Sequence, residues 1–129
     1  MKRAALFLIV GIAAPLLVSC SPPPIEIVIR KEGGGTRADL TQDWGVFFSN
    51  RKPPCVESAA LYRDGDASEK AVWEVRVEKS VWCRDLGTVV VGQTPRGFDE
   101  VTALPPGSAG EYILVIRGEK IGEAALSLD

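Results

Sequence analysis

From Trp73 to Glu78 the side chains alternate, with Trp73, Val75 and Val77 on one parity and Glu74, Arg76 and Glu78 on the other. A β-strand turns successive side chains to opposite faces, so this segment predicts a strand with one buried and one solvated face. Ile25, Ile27 and Ile29 alternate in the same way with Glu26, Val28 and Arg30. Five further segments carry strand signals: Trp44–Phe48, residues 55–62, residues 86–92 with Val89-Val90-Val91, Tyr112–Ile116, and the terminal Ala124, Leu126 and Leu128. Tyr112–Ile116 is apolar on both parities and predicts a central strand covered on both faces. Breaks fall between the segments: Gly33-Gly34-Gly35, Pro53-Pro54, Arg63-Asp64-Gly65-Asp66 and Gly118–Gly122, the last compatible with a hairpin. Gly33-Gly34-Gly35-Thr36 precedes no lysine-bearing phosphate loop and reads as flexible linkage. No helical periodicity of convincing length competes with these signals.

About seven short strands over residues 25–129 predict an all-β fold, a single small antiparallel sandwich of immunoglobulin-like type. Leu104-Pro105-Pro106-Gly107 followed by Tyr112-Ile113-Leu114-Val115-Ile116 resembles the fibronectin type III approach to its penultimate strand. The resemblance covers some 25 residues and implies that Tyr112 is a corner tyrosine. Ser108 to Glu111 lengthen the interval by about two residues relative to that family.

Ahead of this domain lie Lys2 and Arg3, then an apolar run from Ala4 to Val18 broken only by Gly11 and Pro15. A basic start and a short apolar segment suit the secretion machinery, and the run falls below the roughly 18 to 20 residues needed to span a bilayer. It ends in Leu17-Val18-Ser19-Cys20, which resembles the lipobox of bacterial lipoproteins. The resemblance implies cleavage before Cys20, a diacylglyceryl group on its sulfur and acylation of the new amino terminus. Residues 1–19 are then a signal peptide and residues 20–24 a lipidated cysteine with a proline-rich tether. Single acyl chains hold weakly, so several are required for lasting attachment. Ser21 in place of aspartate implies transfer to the outer membrane, facing the periplasm. Pro22-Pro23-Pro24 favours polyproline II, a stiff tether of about 10 to 15 Å.

Cleavage leaves 110 residues, enough for one core. It also removes Lys2 and Arg3, leaving 13 basic residues against 17 acidic, a net −4. With no basic cluster, nucleic-acid binding is disfavoured and membrane residence rests on the anchor at Cys20. Cys55 and Cys83 remain as an even pair in an oxidising compartment and predict a disulfide; reactive or metal-binding thiols are the alternative. A loop of about 28 residues closed this way stabilises the fold by about 3 to 4 kcal/mol on the chain-entropy model.

The chain contains no histidine, which excludes serine–histidine and cysteine–histidine nucleophilic machinery. Asp99-Glu100, and Asp64 with Asp66 and Glu69, are the nearest to carboxylate or calcium clusters, but both read as solvated loops. No catalytic residue, metal site or cofactor is expected. What remains is a binding surface. Thr94-Pro95-Arg96-Gly97-Phe98 falls in a predicted loop, and Arg96 with Phe98 is the candidate partner-binding pair, arginine and aromatics being enriched at interfaces. The alternative is that Phe98 folds back to cap the core. Trp44, Phe47 and Phe48 pose the same choice, and at least two of them are expected in the core. The sequence thus predicts a non-enzymatic envelope lipoprotein, a binding or scaffold module for an envelope protein partner. Ser108-Ala109-Gly110-Glu111-Tyr112 resembles the serine-glycine-tyrosine loop of one family of lysozyme inhibitors, which implies inhibition of a cell-wall hydrolase as the alternative.

Overall fold

The computed structural model describes residues 21–65 and 70–129. Residues 1–19, expected from the sequence to be a signal peptide, and Cys20, Asp66 and Glu69 lie outside the described residues. Among those described there are ten strands and no helix: β1 (Glu26–Glu32), β2 (Gly35–Asp43), β3 (Arg51–Lys52), β4 (Cys55–Arg63), β5 (Trp73–Val77), β6 (Arg84–Asp85), β7 (Thr88–Val90), β8 (Phe98–Thr102), β9 (Gly110–Gly118) and β10 (Ile121–Leu128). They form two antiparallel sheets. In one, β1 and β7 both pair with β2, and β3 pairs with the last two residues of β2. The other runs β10-β9-β4-β5-β8, with β6 on the start of β4. The chain crosses between sheets at β3–β4, β6–β7 and β7–β8, the cross-sheet connectivity of Greek-key sandwiches.

The core lies between the sheets. Leu40 and Val89 come from the first, and Val56, Leu61, Trp73, Val75, Tyr112, Leu114 and Ile116 from the second, all fully buried. The alternating segments behave as their pattern predicts. Trp73, Val75 and Val77 are buried while Arg76 is exposed, and Ile25, Ile27 and Ile29 face inward while Val28 faces out. Burying such side chains contributes about 1.5 to 3 kcal/mol each. The Tyr112 ring is buried and its hydroxyl donates to the Ser108 carbonyl at 2.8 Å. β9 is a central strand, paired with β10 on one side and β4 on the other.

Cys55 and Cys83 are bonded, with Cα atoms 5.3 Å apart. The bridge ties the first residue of β4 to the segment just ahead of β6, its neighbour in the same sheet. It staples an edge of one sheet and does not cross the sandwich.

Three local readings change. Gly33-Gly34 is no flexible linkage but a two-residue hairpin turn joining β1 to β2, with φ of 56° and 81° and Glu32 opposite Gly35. Positive φ at both positions gives the twist that antiparallel strands need, and glycine adopts it without steric cost. β2 follows, although its sequence is largely polar. Thr36, Ala38, Leu40 and Gln42 face inward in strict alternation, so two polar side chains occupy core-facing places and mask the pattern. Third, Trp44–Phe48 is not a strand. It leaves β2 as an exposed loop.

Candidate functional site

The loop between β2 and β3, residues 44–50, is built around one carboxylate. Asp43 Oδ1 accepts the backbone N–H of Gly45 at 3.0 Å and of Asn50 at 2.8 Å, and Oδ2 accepts the Ser49 hydroxyl at 3.1 Å. The Trp44 N–H donates to the Asn50 carbonyl at 2.9 Å and closes the neck. Aspartate commonly turns the following backbone in this way, because its short side chain reaches amides two residues on. Gly45 permits the tight return: a Cβ there would sit 1.6 Å from the Phe48 carbonyl oxygen, so no other residue fits. The amide bonds of Asn50 and then Gly45 hold the Asp43 carboxyl below its ordinary value of 3.8, outweighing the opposing desolvation, with lesser help from the Ser49 hydroxyl and the Arg51 charge.

At the tip of this clamped loop stand Val46, Phe47 and Phe48, 85%, 92% and 87% exposed, with Trp44 at its base 44% exposed. All three aromatics expected to divide between core and surface are therefore outside the core. Small monomeric domains seldom present consecutive large apolar side chains in this way. The sequence held a signal for it. Asp43-x-Gly45 and Ser49-Asn50 flank a run of apolar residues with no period of two, which suits a held loop better than a strand.

The loop shares its end of the sandwich with the place where the chain joins the domain. Glu26 of β1 pairs with Thr41, two residues before Asp43, and the buried Gln42 side chain donates to the Pro23 carbonyl at 2.9 Å. Arg51 Nη1 pairs with Glu26 across the same end. The β9–β10 turn is there as well, Gly118 pairing with Val56 at the start of β4. Trp44, Lys52, Pro53, Cys55, Asp85 and Glu119 surround a shallow hollow of about 270 Å³ beside it. Trp82, next to the disulfide, is 66% exposed.

Arg96 and Phe98 are not brought together. Phe98 is 6% exposed and belongs to the core, because the turn in which its N–H donates to the Pro95 carbonyl swings it inward as the first residue of β8. Phe98 thus takes the capping alternative and offers no side chain to a partner. Arg96 stays exposed, beside Cys83, Arg84, Asp85 and Leu86. Asp99 and Glu100 are exposed neighbours on β8, so they turn to opposite faces and do not converge. Among the described residues no three His, Cys, Asp or Glu side chains gather as metal ligands. At the far end a cleft of about 500 Å³ lies between the Gly33-Gly34 turn, the Leu104–Ser108 loop and Asp129, with Lys31 paired to Asp129 at 3.3 Å across it. Besides that ion pair its lining is glycine and proline backbone, Thr36, Ser108 and the apolar Val91, Leu104 and Leu128. Compared with known proteins, the chain matches no family profile, no curated sequence and no solved structure.

Proposed function

We propose that this chain is a bacterial envelope lipoprotein, anchored through acyl chains on Cys20, whose sandwich is a non-enzymatic binding or scaffold module. The Leu17-Val18-Ser19-Cys20 motif behind a basic, apolar leader carries the anchoring half of this reading. The binding half is supported by the clamped apolar loop, a surface held open at the cost of exposed apolar area, as binding surfaces are. Ser21 favours residence in the outer membrane, facing the periplasm. The hydrolase-inhibitor alternative draws less support. Ser108 and Tyr112 are bound to each other at the corner, and the Ser108 hydroxyl turns back to the Pro105 carbonyl. Metabolic labelling with a palmitate analogue tests the anchor: the wild-type chain takes up label and Cys20→Ser does not. A lysozyme assay with the purified protein tests the alternative, and unchanged lysozyme activity is the expected result.

A further inference from the structure

We propose that the loop of residues 44–50 docks into the headgroup layer of the same bilayer that holds the lipidated Cys20, so that the sandwich is seated at two points. The choice of bilayer and the argument from position rest on the anchoring reading above; the arguments from the exposed apolar tip and its ordered backbone do not.

Position is the first argument. Pro23 is fixed against Gln42, and the loop begins two residues after Gln42. Cys20 precedes Pro23 by three residues, so the covalent chain between them reaches no more than about 11 Å. A domain tied so closely has one end confined to the lipid surface, and that end is the one that bears Val46, Phe47 and Phe48. Chemistry is the second argument. No described residue covers the three side chains, whereas an apolar tip that enters the headgroup layer is removed from water. Exposed Trp44 and Trp82 stand at the same end, and tryptophan is the side chain favoured at the lipid–water boundary. Third, the loop is already ordered by Asp43, so docking costs little further conformational freedom. Arg51, Lys52 and Lys120 are interspersed at this end with Glu26, Glu119 and Asp85, Arg51 being paired with Glu26, so docking is apolar in origin and insensitive to salt.

The test uses the native chain purified from membranes and reconstituted into phosphatidylcholine vesicles with brominated acyl chains. A Trp82→Phe background leaves Trp44 and the buried Trp73 as emitters. Trp44 emission should fall by about half against unbrominated vesicles, as a side chain within 5 to 10 Å of the acyl boundary would. It should fall equally at low and high salt. Val46→Ser/Phe47→Ser/Phe48→Ser should lose the quenching while remaining vesicle-bound through Cys20, with its disulfide and Trp73 emission showing that it is folded. Phe47→Asp serves as a milder variant with the same expected direction. An acylated, vesicle-bound wild-type chain without quenching overturns the proposal and leaves the anchor standing, whether the loop is then found on a protein partner or a second copy. Quenching in a chain whose Cys20 is unmodified supports the loop and removes the anchoring reading.

Discussion

At the scale of single residues, Asp43 decides the shape of the exposed loop. Replacing it with alanine removes the acceptor for the Gly45 and Asn50 amides, and hydrogen exchange at those two positions should quicken by about five- to tenfold. Exchange elsewhere in β2 should be unchanged. The same carboxylate sets a pH dependence. Its folded-state value is depressed, so the clamp is fully present above the unfolded value near 3.8 and is lost as pH falls through the lower folded value. Protection of the two amides should therefore be flat from about pH 5 to 8 and fail only below the ordinary carboxylate range. Tyr112→Phe deletes the bond to Ser108 and should cost about 0.5 to 1.5 kcal/mol in denaturant unfolding. Leu114→Ala in the same strand should cost about 2 to 5 kcal/mol, since it empties part of the core.

At the scale of elements, the sequence disclosed strands in proportion to how apolar their inward faces are. Trp73–Val77 and Tyr112–Ile116 are legible because core positions hold large hydrophobics. β2 is not, because Thr36 and Gln42 take two of its four buried places and Gly35 opens it. β8 was hidden for a related reason: Phe98 is its only buried residue, and four mostly polar neighbours look like loop. β3 and β6 are two residues each, too short to show any period. The loop at residues 44–50 misled in the opposite sense, since its apolar content resembles a core segment and outweighs the turn-forming Asp43, Gly45, Ser49 and Asn50 that flank it. The disulfide was legible from cysteine parity once Cys20 was set aside. Its loss should lower stability by about 3 to 4 kcal/mol, read as a shift in urea midpoint on replacing both Cys55 and Cys83 with serine.

At the scale of the whole molecule, the sandwich has two unlike ends. One gathers the point where the chain joins the domain, the apolar loop, the disulfide and the exposed Trp44 and Trp82; the other holds the Gly33-Gly34 turn and the Leu104–Ser108 cleft. Under the anchoring proposed above, that polarity has a consequence: a domain held close to lipid would present its remaining surface in one direction only. Everything proposed about its role starts from acyl chains on Cys20. Mass spectrometry of the amino-terminal peptide from the membrane fraction tests this most directly. A peptide that begins at Cys20 and carries the mass of a diacylglyceryl group is the predicted result. An unmodified cysteine, or residues 1–19 still attached, would contradict it.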